Sequence, residues 1–157
     1  MSQPQLFNPK TVVHAVANID GGSRGNPGPA GYGVRIECNG TIIELKEALG
    51  IATNNIAEYQ GLLSALQWSV EKGIRSLHIR SDSELLVKQM QGKYRVRNAK
   101  LQGLHGEATV LAKKIGQVEY EHIPRESNKE ADRLANKAMD DAPIENPDNI
   151  VNKVLIL

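Results

Sequence analysis

Between residues 11 and 20 the hydrophobicity has a period of two. Val13, Ala15, Ala17 and Ile19 fall on one parity, and Val12, His14, Val16, Asn18 and Asp20 on the other. That period predicts a strand with unlike faces. The next stretch, residues 21–31, reads Gly-Gly-Ser-Arg-Gly-Asn-Pro-Gly-Pro-Ala-Gly and predicts a loop by composition. Two further strands are expected over 32–38 and 41–49, joined by Asn39-Gly40, a dipeptide suited to a tight hairpin turn. The period then changes. Leu62, Leu63, Leu66 and Val70 repeat at helical spacing, which predicts a helix over 54–72 stopped by Gly73. A strand over 77–81, a helix over 83–91 broken by Gly92, and a helix marked by Leu101, Leu104, Ala108, Leu111 and Ile115 follow. A strand over 118–123 stops at Pro124. Ser127-Asn128-Lys129-Glu130 has the form of a capping box opening a last helix to about Met139.

The expected order is β-β-β-α-β-α-α-β-α. Three antiparallel strands followed by α/β alternation predict an α/β fold: a five-stranded mixed sheet flanked by helices. Residues 1–10, with Pro4 and Pro9, are expected as a loose arm, 11–140 as the domain, and 141–157 as a tail whose apolar end, Val151 to Leu157, packs on it.

Composition narrows the function classes. The 157 residues are one domain's worth. The single Cys38 excludes an intramolecular disulfide and a cysteine zinc cluster. No apolar run approaches the ~18 residues that span a bilayer, and the start lacks a signal pattern, so a cytoplasmic domain is expected. The formal net charge of +1 excludes a uniformly basic nucleic-acid wrapper.

Four carboxylates stand in awkward places. Asp20 closes a predicted strand, where a turn Asp bonding its own backbone is the simpler reading. Glu58, with Asn55 as N-cap, fits a capping box, yet its i+4 and i+8 neighbours are Leu62 and Leu66, so it shares the apolar stripe. Asp82 is a cap candidate for the helix that follows, and Asp132 a border residue beside Ala131, Leu134 and Ala135. Each has a structural reading alone. Together, strand ends and helices packed over one sheet can bring them to one place, where like charges require a cation. Oxygen donors without a His or Cys pattern favour Mg²⁺ or Mn²⁺.

Four blocks carry a resemblance to ribonuclease HI of the compact prokaryotic type. They are Ile19-Asp20-Gly21-Gly22-Ser23-Arg24-Gly25-Asn26-Pro27-Gly28-Pro29-Ala30-Gly31-Tyr32-Gly33, Thr53-Asn54-Asn55-Ile56-Ala57-Glu58-Tyr59, Ser81-Asp82-Ser83-Glu84-Leu85 and Asn128-Lys129-Glu130-Ala131-Asp132-Arg133-Leu134-Ala135. The resemblance implies the ribonuclease H-like fold, and two divalent ions, Mg²⁺ with Mn²⁺ as a substitute, held by Asp20, Glu58, Asp82 and Asp132. It implies cleavage of the RNA strand of an RNA/DNA hybrid to 5′-phosphate and 3′-hydroxyl ends. It implies contacts to the nucleic-acid backbone from Thr53, Asn54 and Asn55, with Asn26 either a further contact or a turn residue before Pro27. Gly21 and Gly22 would let the backbone approach a ribose. The family carries a loop His before its last Asp; here His122 falls in a predicted strand, so Arg125 takes the auxiliary role and His122 is its rival.

The charge is unevenly spread. Residues 88–100 hold Lys88, Lys93, Arg95, Arg97 and Lys100 and no acid, so the rest of the chain is net negative. Lys93, Arg95 and Arg97 alternate around Tyr94 and Val96, and an extended segment would give them one basic edge. A solvated face is the simpler reading. The position after Asp82, where the resemblance places a substrate-binding element, favours phosphate contacts. The expected partner is an RNA/DNA hybrid, with no membrane and no obligatory protein partner for a monomer. A binding module of the same fold and another nuclease of the superfamily are the alternatives; a complete set of four carboxylates disfavours the first, and the first two blocks the second.

Overall fold

A computed structural model describes residues 13–142 of the chain. The expected arm and the apolar end of the tail lie outside the described residues. Strands β1 (His14–Ser23), β2 (Gly28–Cys38) and β3 (Thr41–Ala52) form an antiparallel meander. Helix α1 (Asn54–Glu71) leads to β4 (Ser76–Ser81). Helices α2 (Glu84–Met90) and α3 (Ala99–Ile115) lead to β5 (Gln117–His122), and a 3-10 turn at Arg125–Ser127 leads to α4 (Lys129–Asp140). The sheet order is β3-β2-β1-β4-β5, with β4 parallel to both β1 and β5. This is the five-stranded mixed sheet that the periodicities predict, with β1 at its centre.

The parity of β1 sorts its two faces. Ala15, Ala17 and Ile19 are buried against Leu62, Leu63 and Leu66 of α1, with Leu101, Ala108 and Ile115 of α3 in the same core. The other face of the meander receives α4 through Ala131, Leu134, Ala135 and Ala138. That approach is close because β2 offers no side chain there. A methyl group on Gly33 would lie 2.5 Å from the Ala131 carbonyl oxygen, the Ala135 nitrogen and the Leu134 Cβ.

Several local expectations are corrected. Residues 21–31 are mostly strand: β1 runs to Ser23 and β2 begins at Gly28, because their ladder continues through Gly21↔Tyr32, Gly22↔Gly31 and Ser23↔Ala30. Glycines that look like a loop in composition pair as well as any residue when both strands have a partner. Asp20 therefore lies within β1; what ends beside it is the pairing with β4, whose last rung is Ile19↔Ser81. The N-cap of α1 is Thr53, whose Oγ1 accepts from the Ile56 nitrogen at 3.2 Å, so Glu58 lies beyond any capping box. Ser83, not Asp82, caps α2 by accepting from the Leu86 nitrogen. At α4 the capping box does not form: Ser127 belongs to the 3-10 turn, and the N-cap Asn128 makes no side-chain cap bond. The hairpin turn is as expected, with Asn39 at φ 52° and Gly40 at φ 78°, the left-handed pair that suits it.

Candidate active site

Where β1 outruns β4, the two strands present successive carboxylates side by side. Asp20 follows Ile19 and Asp82 follows Ser81, and those two residues are partners. The first turns of α1 close over this end of the sheet. They can do so because Gly21 has no Cβ, which would strike the backbone of Ala57 and Glu58. The missing side chain of Gly21 thus serves helix packing, a reason different from close approach to a ribose. The result is a group of one oxygen each from Asp20, Glu58 and Asp82, all within 4.8 Å of one another. Asp132, on the first turn of α4, lines the same cleft.

The electrostatics are those of an uncompensated acidic centre. Burial pushes the Asp20 carboxyl up to about 8, helped by the charge of Asp82, by contact with Asp132 and by Glu58. Burial also pushes Glu58 up to about 7, with the Asp82 charge adding to it and a hydrogen bond with Ser83 opposing it. Among the described residues no ion pair includes any of the four carboxylates. Hard oxygen donors, crowded and with no cationic side chain paired to them, fit a divalent cation.

The cleft has a volume of about 500 Å³. It is lined by Asp20, Gly21, Gly22, Asn54, Glu58, Asp82, Arg125 and Asp132. Asn26 and Thr53 stand at its border. The Asn54 nitrogen donates to Asn26 Oδ1 at 3.1 Å, and Asn54 Oδ1 accepts from the Ser23 nitrogen at 2.8 Å and from Ser23 Oγ at 3.0 Å. Asn55 follows on the first turn of α1. His122 ends β5 and is not among the lining residues, whereas Arg125 is.

Lys93, Arg95 and Arg97 are drawn together elsewhere. They line a second groove of about 570 Å³ with Leu85, Gln89, Tyr94, Asn98 and Leu101. The backbone there is irregular rather than one extended edge, but the alternation survives in part: the three cations are exposed while Val96 packs against the core. Lys88 sits 5.0 Å from the Tyr94 ring centre. Helix α2 connects the two grooves, with Asp82 just before its start and Gln89 near its end.

Known proteins share this fold. The model of the reverse transcriptase-like family matches residues 18–138. The N-terminal RNase H domain of Rv2228c from Mycobacterium tuberculosis, solved as a fusion with maltose-binding protein, is 45% identical and superposes with a TM-score of 0.78, covering 81% of this chain and 99% of that one. The chain belongs to the ribonuclease H1 family. LC11-RNase H1, solved in complex with an RNA/DNA hybrid, is 38% identical with a TM-score of 0.77, covering 82% of this chain and 98% of that one. Ribonuclease HI of Halobacterium salinarum is 40% identical over 132 residues, 83% of this chain. The chain spans 36% of the length of the full mycobacterial protein and 65% of the halobacterial one.

Within this ribonuclease H1 fold, the cleft also contains residues to which the sequence assigns no role: Ser23, Arg24, Ala135, Asn136 and Met139. Arg24 pairs with Asp140 of α4 and lies 3.4 Å from the Asn136 carbonyl oxygen. The signal for Asn136 and Met139 was present as helical spacing, since they follow Asp132 by four and seven residues. Arg24 had no such signal, because its place depends on a turn between two strands.

Proposed function

We infer that the chain is a metal-dependent endoribonuclease that hydrolyses the RNA strand of RNA/DNA hybrids, leaving 5′-phosphate and 3′-hydroxyl ends. The observation that carries this reading is the group of three carboxylates within 4.8 Å, none of them in an ion pair among the described residues, in a fold similar to LC11-RNase H1. Asp20, Glu58, Asp82 and Asp132 would hold two Mg²⁺ ions, with Mn²⁺ as a substitute. Such ions, when bound, supply an acidified water and charge stabilisation at the departing 3′ oxygen. Asp20 feels the charge of each of the other three carboxylates, so it would gain most from a bound cation.

The remaining roles fall to donors around the cleft. Gly21 and Gly22 present backbone at its floor. The oxygens of Thr53, Asn54 and Asn26 accept bonds within the protein, which leaves hydroxyl and amide hydrogens for the nucleic-acid backbone. Asn55 joins them from the next position. A 2′-hydroxyl, both donor and acceptor, distinguishes the RNA strand at such a site. Arg125 reaches the scissile phosphate as a fixed positive charge. The activity belongs to residues 11–140, in a cytoplasmic protein without an obligatory partner.

The test uses labelled RNA/DNA, RNA/RNA and DNA/DNA duplexes with Mg²⁺, Mn²⁺ or chelator. Cleavage of the hybrid's RNA strand is expected with either ion and is expected to stop in chelator. Cleavage that persists in chelator, or equal cutting of DNA/DNA, overturns the reading.

Lys93, Arg95 and Arg97 hold phosphates in the second groove. Replacing Arg95 and Arg97 together with Ala should weaken hybrid binding and lower the slope of log affinity against log salt by up to about 1.8, from ~0.9 per phosphate contact. An unchanged slope in a salt titration would remove these residues from the interface.

A further inference from the structure

The geometry points to Asn128 as a positioning residue that sets the spacing of the carboxylates on β1, just after β4 and on α4, and thereby the affinity of the site for its cation. The inference rests on the reading of the cleft as a metal-dependent nuclease centre and deepens it.

Asn128 stands where a helix cap is expected, and Asn is among the best cap residues because its side chain accepts from the backbone two or three positions on. It makes no such bond. Its side chain is turned inward instead, leaving the residue 1% exposed. Nδ2 donates to the Ile19 carbonyl oxygen at 2.9 Å, and Asp82 Oδ2 lies 3.5 Å from the same nitrogen. Oδ1 accepts from Asn18 Nδ2 at 3.1 Å. The Asn128 carbonyl oxygen accepts from the Asp132 nitrogen at 3.1 Å. One residue therefore touches the peptide before Asp20, the carboxylate of Asp82 and the backbone of Asp132.

The position of these contacts gives them their consequence. The β1–β4 ladder ends at Ile19↔Ser81, so no ladder rung fixes Asp20 against Asp82. The amide of Asn128 bridges that gap from the Ile19 side. Its orientation is unambiguous: the Ile19 oxygen only accepts, so the nitrogen must face it, and Asn18 occupies the oxygen. Its chemistry is also selective. An N–H donor beside Asp82 eases a crowded acidic centre, whereas an acid of the same shape at this position would add to the crowding. Forgoing the cap costs stability, and burying an amide costs more unless it is bonded, so the inward arrangement is sustained by its own hydrogen bonds.

The experiment measures Mg²⁺ binding by calorimetry and steady-state kinetics on an RNA/DNA hybrid for the parent, Asn128→Ala and Asn18→Ala. Asn128→Ala is expected to raise the Mg²⁺ dissociation constant about tenfold and to lower kcat about tenfold below saturating Mg²⁺, with hybrid KM within about twofold. Saturating Mg²⁺ should restore most of that kcat. Asn18→Ala, which only frees the amide oxygen, should move the same two quantities by about threefold with an unchanged circular dichroism spectrum. If Asn128→Ala melts earlier but keeps the parental Mg²⁺ affinity, the residue is merely structural and the inference fails. If Asn128→Ala does not fold, unchanged Mg²⁺ affinity in Asn18→Ala defeats it. A parent that neither binds Mg²⁺ nor cleaves the hybrid overturns the functional reading with it. A cleaving parent whose variants retain its Mg²⁺ affinity overturns this inference alone.

Discussion

Asp20→Asn is expected to reduce hybrid cleavage by about three orders of magnitude, ~4 kcal/mol of barrier, while raising the melting temperature of the metal-free protein. The two effects have one cause. Asp20 lies at the centre of the acidic group, where burial and its three carboxylate neighbours push it up to about 8. Glu58 is pushed up to about 7 by burial and Asp82. The folded metal-free chain thus keeps protons that the unfolded chain releases near pH 4. Stability from these groups is fully present below that pH and is lost as pH rises through about 7 and 8. The melting temperature without metal should fall between about pH 5 and pH 8.5, and Mg²⁺ should recover it most at the alkaline end. The neutral amide removes the largest contribution, for a gain on the order of 2 kcal/mol at pH 8. Calorimetry of both proteins across pH, with and without Mg²⁺, checks this. A melting temperature that is level with pH, or an Asp20→Asn variant less stable than its parent at pH 8 in chelator, contradicts it.

Gly33→Ala should cost about 3 kcal/mol and take activity with it. The added methyl meets backbone atoms of Ala131 and Ala135 at 2.5 Å, and backbone in a helix cannot turn aside as a side chain can. Helix α4 must lift from the sheet, which unseats Leu134 and Ala138 and withdraws Asp132 from the cleft. A denaturant titration should show a lower midpoint, and Mg²⁺-dependent cleavage should fall even under conditions where the variant remains folded. Gly40→Ala is the contrast: it has no neighbour within 4 Å, and its cost comes only from its positive φ.

The order of elements and the sheet class were legible from a period of two in β1, helical spacing in α1 and α3, and the turn, glycine and proline signals that bound the other elements. The four carboxylates were legible as anomalies: each sits where its own local rule gives a passable but crowded explanation. Cap identities were not legible. Thr53, Asn54 and Asn55 are all good N-caps, and the choice of Thr53 follows from Asn54 being drawn to Ser23 across thirty-one positions. Asn128 misleads for the same reason, since its side chain answers to β1 rather than to its own helix. The strands through Gly21 and Gly31 were hidden because composition reads backbone freedom, whereas pairing and close packing decide how that freedom is used.

The distribution of the acids over β1, α1, the end of β4 and α4 bears on how the domain comes together. No short stretch of chain holds a cation site in miniature, since Asp20 and Asp132, the first and last of the four acids, are more than a hundred residues apart in sequence. The unfolded chain therefore has little to offer a hard ion. A cation held by all four acids would need α4 in place as well as the sheet, and its binding free energy would accrue to the domain as a whole. Without the ion the fold crowds four acids where β1, α1, the end of β4 and α4 meet, so the place proposed as the chemical centre would also be a weak point of the metal-free domain.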